Sequence, residues 1–262
     1  MINFDFLKNM NRKLIANITI AIIVYITILF SISVIFHGLK SFLSDIKNNE
    51  TSSSDVVATT TTIVATTTTT TKPIIKASLT LDVPYTVQAP YANWVIHEES
   101  CEEAAVLMVH DYLEGIKYNG TVIDKETANS TMIAMKNWQV ANYGKEPDLA
   151  INAIGQFAKD YYGYNYVYKE NITAEDIKIA ITEGYPVIVP VITHSLQNPN
   201  YGVHPVYHVL LIKGYDASGV VTNDAGVSQG ENRHYTWEIL FSAIDAQTSQ
   251  MNQGRVMVVI KK

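Results

Sequence analysis

The chain has 262 residues, of which 47% are hydrophobic, and a formal net charge of −6. This composition is that of a folded protein, and its acidic balance excludes a basic nucleic-acid-binding surface, so nucleic acid is not an expected partner. The single cysteine, Cys101, excludes an internal disulfide. After an amino-terminal part without a globular pattern, about 185 residues remain, which suffice for one domain with its own core.

The amino-terminal part predicts a membrane anchor. No charged residue occurs from Leu14 to Phe36, and about 20 such residues cross a bilayer as a helix. The run is longer than the apolar region of a secretory signal and lacks a good cleavage site, which favours an uncleaved signal anchor over a cleaved signal. Basic residues before the span favour a cytoplasmic tail over 1–13. We therefore expect a single-pass protein of the cell membrane, with its carboxy-terminal domain extracytoplasmic.

Residues 37–77 are rich in threonine and serine and include the stretch "ATTTTIVATTTTTT". Such a composition cannot bury enough apolar surface to offset the conformational entropy of the chain. We expect an extended linker between the anchor and a domain over 78–262.

The domain opens with "LDVPYTVQAP", which predicts a short strand and a turn, followed by a loop that leads to the cysteine. Ser100 and Glu103 fit the S-x-x-E capping box, which predicts a helix with Ser100 as N-cap and Cys101 as its first residue. Gly115 is placed to end this helix in a left-handed conformation. The only thiol of the chain is therefore expected at a helix amino terminus.

Apolar periodicity and capping signals predict four further helices, near 125–140, 149–161, 174–183 and 237–246. The third of them begins with the pattern Thr173-x-x-Asp176. Apolar runs predict strands at "YPVIVPVI", "VYHVLLIKGYD", "GVVTND" and "RVMVVIKK", with a hairpin turn over Asp216–Gly219. Helices early in the chain and antiparallel strands late predict an α+β domain.

The segment "YGYNYVY" places tyrosines at alternate positions, which predicts a half-buried strand with one aromatic face: Tyr162, Tyr164, Tyr166 and Tyr168. Packing of the tyrosines against the domain and a ligand platform are both open interpretations.

The position of Cys101 has a direct chemical consequence. The amino terminus of a helix carries partial positive charge, which stabilises a thiolate and lowers the pKa of the thiol. Four nearby acids oppose this effect unless they point to solvent or cap the helix: Glu98, Glu99, Glu102 and Glu103. Activation of the thiol then requires a nearby imidazole. The alternative is a small buried cysteine with a packing role only.

His208 is the best candidate for that imidazole. It opens a predicted strand, and the hairpin turn brings Asp224 on the next strand within two or three residues of it. A histidine with a carboxylate beside it forms the base and orienting group that cysteine catalysis requires. The other histidines fit less well: His97 and His110 are badly spaced from Cys101, and His204 and His234 lie in predicted loops. A zinc site at His204 and His208 is not expected, because Pro205 prevents the helix that would bring them together.

The order of "VPYTVQAPYANW", "ESCEEAAVLMVHDYL", "GYPVIVPV", "YHVLLIKGYD" and "VVTNDAGVSQGENRHYTWEIL" resembles the papain-like cysteine peptidases of the bacteriocin-processing, double-glycine type (family thirty-nine-like), specifically their stand-alone relatives. The resemblance covers about residues 81 to 260. It implies a papain-like fold, in which the helix that bears the cysteine packs on an antiparallel sheet that bears the histidine and the aspartate.

The resemblance also implies roles for four residues. Cys101 matches the nucleophile, His208 the general base, Asp224 the orienting acid, and Gln88 the side-chain amide of the oxyanion hole. The family usually has proline after the aspartate, where this chain has Ala225. The implied activity is hydrolysis of peptide bonds in a peptide or protein substrate, without a metal or organic cofactor.

Two alternative functions remain open. One is a cell-wall peptide amidase or endopeptidase, and the other is a non-catalytic, tethered peptide-binding domain. Leader-peptide processing during export is disfavoured, because the chain lacks both a G-x-x-x-x-G-K-[ST] loop and several membrane spans.

Overall fold

The computed structural model describes residues 73–144 and 148–262. The predicted cytoplasmic tail and the predicted anchor over 14–36 lie outside the described residues, as does the linker up to residue 72. Within the described ranges, no helix is long and apolar enough to cross a membrane.

The described residues form a mixed domain of helices and one antiparallel sheet. Its α-helices are α1 (Trp94–His97), α2 (Cys101–Glu114), α3 (Lys125–Tyr143), α4 (Ile151–Tyr162), α5 (Ala174–Thr182), α6 (Trp237–Ala246) and α7 (Thr248–Met251). Its strands are β1 (Leu79–Thr80), β2 (Asn165–Glu170), β3 (Val187–Ile192), β4 (Tyr207–Tyr215), β5 (Gly219–Asn223), β6 (Arg233–Thr236) and β7 (Val256–Lys261).

The strands form one sheet in the order β2-β7-β3-β4-β5-β6, and β1 pairs with one end of β4. Every pairing between these strands is antiparallel. Asp216 closes the β4–β5 turn, because its side chain accepts hydrogen bonds from the backbone N–H groups of Ser218 and Gly219. The predicted α+β class, the antiparallel sheet and this hairpin are confirmed.

Helices cover both faces of the sheet, so the central strands are buried on both sides. In β4, Val209 and Leu211 point into a core formed with α2, α3 and α4. Leu210 and Ile212 point into a second core formed with α5 and α6. This packing explains the nearly continuous apolar sequence of β4. It also places the amino-terminal half of α2 against that strand.

The predicted capping box at Ser100 and Glu103 is wrong. Ser100 is the N-cap of α2, but its side chain makes no capping hydrogen bond. Its hydroxyl lies 3.0 Å from Nδ1 of the buried His97, and Glu103 accepts a hydrogen bond from Gln139 instead of closing a capping box. The capping box at Thr173 and Asp176, in contrast, is confirmed.

The tyrosine-rich strand begins later than expected. Tyr162 is the last residue of α4, and a left-handed Gly163 precedes β2. The ring of Tyr166 covers Gly155 of α4, where a Cβ atom would lie 2.4 Å from the ring. Tyr162 stacks on the ring of His110. These contacts favour packing over a ligand platform.

Candidate active site

Cys101 is the first residue of α2, as the sequence predicts. Its side chain is 5% exposed and belongs to the core between α2 and the sheet. The backbone amide of Val209, the residue after His208, lies near the sulfur and, as a minor influence, lowers the pKa of the thiol. The helix amino terminus and β4 therefore place the thiol beside the strand that carries the histidine.

The thiol has a carboxylate partner. Its Sγ donates a hydrogen bond to Oε2 of Glu102 over 3.0 Å, and Oε1 of the same side chain accepts one from the Leu149 backbone N–H over 2.9 Å. Burial raises the pKa of Glu102 to about 7. Burial, followed by the charge and hydrogen bond of Glu102, raises the pKa of Cys101 well above its ordinary value.

The expectation of a lowered thiol pKa is therefore wrong for this arrangement. It depended on the nearby acids pointing to solvent or capping the helix, whereas Glu102 and Glu103 are both buried. Glu98 and Glu99 are exposed. Although Glu99 is exposed as a whole, partial burial of its carboxyl group and a hydrogen bond with Asp148 raise its pKa to about 7. The thiol is thus protonated at neutral pH in the described conformation.

His208 is the second residue of β4 and lies opposite Val191 of β3. Its Nε2 lies 3.0 Å from Oδ1 of Asp224, and the two side chains are only 5% and 0% exposed. Among the described residues, Nδ1 of His208 has no hydrogen-bond partner. The structure thus brings His208 and Asp224 together and leaves one imidazole nitrogen available.

The Asp224 carboxylate is held by donors from several parts of the chain. Oδ1 accepts from the hydroxyl of Tyr201 over 2.5 Å and from the Gly226 N–H over 3.2 Å. Oδ2 accepts from the hydroxyl of Tyr235 over 2.8 Å. Burial alone would raise the pKa of Asp224, but the hydrogen bonds and the imidazole lower it overall. A carboxylate at this position favours the His208 tautomer with its proton on Nε2.

Gln88 contacts both the segment before Cys101 and the residue after Asp224. Its Nε2 donates to the backbone carbonyls of His97 and Glu98 over 3.1 and 2.9 Å, and its backbone N–H donates to Ala225 O over 2.9 Å. Oε1 of Gln88 is buried without a hydrogen-bond partner among the described residues. Its role as an oxyanion donor stays a prediction, and it requires release of one of the two amide hydrogen bonds.

Three residues of the site were missed by the sequence analysis: Tyr201, Tyr235 and Gly226. A Cβ atom at Gly226 would lie 2.9 Å from Cε1 of His208 and 2.4 Å from the Tyr201 hydroxyl, so glycine permits this close approach. The glycine two residues after Asp224 was a usable signal. Tyr201 had none, because it lies in a loop before β4, and no local pattern predicts that this loop folds back onto Asp224.

Comparisons with known proteins agree with the resemblance noted in the sequence. The model of the Peptidase_C39 like family matches residues 80–250. No curated protein matches the chain. A solved structure described as a C39-like peptidase from Bacillus anthracis is 16% identical, covers 71% of this chain and 99% of its own, and has a TM-score of 0.48.

Xylellain, a cysteine protease from Xylella fastidiosa, is 14% identical and covers 72% of this chain and 87% of its own, with a TM-score of 0.30. Both TM-scores are low, so the assignment depends on the family model. Because that model matches well over half of the chain, the protein belongs to the Peptidase_C39 like family of cysteine peptidases.

Proposed function

We propose that this chain is a membrane-anchored, extracytoplasmic cysteine peptidase that hydrolyses peptide bonds through Cys101, His208 and Asp224. The observation that carries the proposal is the buried His208–Asp224 pair, with an Nε2 to Oδ1 distance of 3.0 Å. The backbone amide of the residue after His208 lies near the only thiol of the chain. Nucleophile, base and orienting acid thus lie in one buried region.

The first step is proton transfer coupled to attack. The thiol begins protonated, since burial and Glu102 raise its pKa. As Sγ of Cys101 attacks the carbonyl carbon, its proton passes to Nδ1 of His208. Asp224 holds the proton on Nε2 and stabilises the imidazolium that forms. Nucleophile activation thereby depends on the imidazole, and the helix amino terminus alone does not provide it.

The second step is collapse of the tetrahedral intermediate. The backbone N–H of Cys101 and the side-chain amide of Gln88 are the proposed donors to the oxyanion. His208 then protonates the leaving amine, the C–N bond breaks, and an acyl thioester remains on Cys101. Water activated by His208 hydrolyses the thioester and restores the thiol.

The extracytoplasmic location is supported by the uncharged run over 14–36 and the threonine-rich linker after it. Protease added to intact cells should release the domain by cutting between Thr51 and Lys76. A domain that is protected until the cells are lysed would contradict this location.

Turnover of a quenched-fluorescence peptide library by the full chain tests the activity. We expect the wild type to cleave a subset of the peptides and Cys101→Ala to cleave none, because the variant lacks the nucleophile. Cleavage that survives Cys101→Ala would overturn the proposal. Tight peptide binding without any turnover by the wild type would replace it with the peptide-binding function.

A further inference from the structure

A large cleft opens on one side of the proposed catalytic residues. Its volume is about 1110 Å³. One wall follows Gln88 in sequence and includes Ala89, Tyr91 and Trp94, and another follows Asp224 and includes Gly226 and Val227. The two walls are joined by the Gln88 N–H to Ala225 O hydrogen bond of 2.9 Å. The cleft is thus built from the segments that carry two of the four site residues.

The cleft lies next to the imidazole, with Gly226 between them; neither His208 nor Cys101 lines it. Gly226 lines it, and a Cβ atom added there would lie 2.9 Å from Cε1 and 3.0 Å from Nε2 of His208. The opposite side of the thiol is closed by Glu102, which contacts both Cys101 and Leu149. Neither Glu102 nor Leu149 lines the cleft. Through Gly226, the cleft therefore lies on the histidine side of the site.

This position matters for acyl transfer. The acyl half of the substrate stays attached to Cys101, whereas the leaving amine takes its proton from His208. The chain segment that departs must therefore pass the imidazole. A cleft beside the imidazole is placed to bind the residues on the amine side of the scissile bond.

Part of the cleft wall is suited to an apolar side chain, while Lys125, Gln229 and Glu231 make other parts of it polar. Three large apolar or aromatic residues that line it remain well exposed: Tyr91 at 51%, Trp94 at 44% and Val122 at 49%. Val122 is held in place because hydrogen bonds of 2.8 Å join its neighbours Thr121 and Ile123 to the backbone of Tyr85. In a concave site, exposed apolar walls favour binding of a ligand that covers them and removes their surface from water.

Resting on the proposed function, we propose that this cleft is the subsite for the leaving half of the substrate and selects a large apolar residue directly after the scissile bond. Tyr91, Trp94 and Val122 are its specificity-determining residues.

Competition between amines and water for the acyl-enzyme tests this subsite separately from acylation. The full chain is acylated with an N-acylated glycine p-nitrophenyl ester, which releases p-nitrophenol and leaves a thioester on Cys101. An added amine attacks the thioester carbonyl, a C–N bond forms, the C–S bond breaks, and the sulfur regains a proton. The ratio of amide to acid product measures how well each amine occupies the leaving-group side.

We expect leucinamide to capture the acyl group about tenfold better than glycinamide, because its side chain covers the apolar walls. Val122→Asp and Trp94→Ala should each bring the two amines close to equality. Val167→Asp is the matched control: Val167 is 46% exposed, compared with 49% for Val122, but lies on β2 outside the cleft. This control should keep the wild-type preference.

The outcomes distinguish a failure of the subsite from a failure of the proposed peptidase function. Acylation with equal capture of both amines by the wild type would overturn the subsite and leave the peptidase function in place. A preference that both cleft variants retain would also overturn it. If the ester leaves no acyl group on Cys101, the proposed function fails, and the subsite fails with it.

Discussion

Two histidine–aspartate pairs lie on or at the ends of strands β4, β5 and β6, at nearly equal distances and in opposite surroundings. His208 Nε2 lies 3.0 Å from Asp224 Oδ1, with side-chain exposures of 5% and 0%. His234 Nε2 lies 3.2 Å from Asp216 Oδ2, with exposures of 38% and 41%. The first pair is next to the core that holds Cys101, and the second lies at the β4–β5 turn.

The comparison teaches that distance alone does not identify a catalytic pair. The Asp224 carboxylate accepts further hydrogen bonds from two buried tyrosine hydroxyls, which fix its orientation and charge. Asp216 instead accepts from Ser218 and Gly219, and mainly these hydrogen bonds lower its pKa to about 2. An exposed pair of this kind is screened by water and contributes little as an ion pair. Its function is to close a turn.

The largest expected effect separates the two histidines. His208→Ala should lower turnover by at least about 10⁴-fold, because nucleophile and base act as a unit. His234→Ala should leave turnover unchanged, since its ring contacts only groups of the turn. Steady-state hydrolysis of the best library peptide by both variants measures the difference. Equal losses in the two variants would break the comparison.

Exchange of each carboxylate gives the next largest effect. Asp224→Asn should lower kcat by about 10²- to 10⁴-fold, because an amide no longer fixes the His208 tautomer or stabilises the imidazolium. Asp216→Asn should lower the melting temperature and leave kcat unchanged, because it weakens the turn. A kcat that falls more in Asp216→Asn than in Asp224→Asn would contradict these roles.

A third prediction concerns Glu102, the acid beside the Cys101 thiol; the exposed His234–Asp216 pair has no such neighbour described for it. Glu102→Gln removes the negative charge that opposes the thiolate, so the pKa of Cys101 should fall and alkylation at neutral pH should become about tenfold faster. Cys101 is the only thiol, so the rate of iodoacetamide labelling reports on it alone. Glu170→Gln, on the exposed end of β2, is the control. If Glu102→Gln is labelled no faster than Glu170→Gln, Glu102 does not govern the reactivity of the thiol.

The smallest expected effect is on stability against pH. Folding raises the pKa of Glu102 from 4.5 to about 7, mainly through burial. Between pH 4.5 and about 7, the carboxyl group of Glu102 is ionised in the unfolded chain but still protonated in the folded chain. The stability that this group contributes below pH 4.5 is therefore lost as the pH rises to about 7. Glu102→Gln removes this loss.

The melting temperature of Glu102→Gln should therefore gain on that of the wild type as pH rises through this interval. Glu99, whose pKa is also raised to about 7, stays in both proteins and contributes equally to a first approximation. Thermal unfolding of the full chain at several pH values measures the gain. A difference that is constant with pH would mean that Glu102 titrates alike in the folded and unfolded chain.

Residues joined by short-range rules were predictable from the sequence. The turn over Asp216–Gly219 sets the pairing of β4 with β5, and the observed register places Leu211 opposite Asn223. This register alone is enough to place Asp224 near His208, so the rest of the fold is not needed for the prediction. Cys101 was likewise predicted as the first residue of its helix from the S-x-x-E pattern at Ser100, although the side-chain hydrogen bonds of that pattern do not form.

Contacts made across long sequence distances were not predictable. The side chain of Glu102 faces the thiol because the Leu149 backbone, 47 residues later, accommodates its second oxygen. The buried side chain of Glu103 accepts a hydrogen bond from Gln139 on α3 and therefore does not form the expected capping box. Each of these contacts depends on how separate helices pack, and local patterns carry no signal for that packing.

The most direct test of the central claim is the mass of the full chain after brief exposure to the N-acylated glycine p-nitrophenyl ester. The account predicts one acyl group per chain, on Cys101, in the wild type and in His234→Ala, and no such adduct in Cys101→Ala or His208→Ala. A wild type that stays unmodified would contradict it. An adduct that forms equally fast in His208→Ala would also contradict it, because Cys101 would then react without the buried pair.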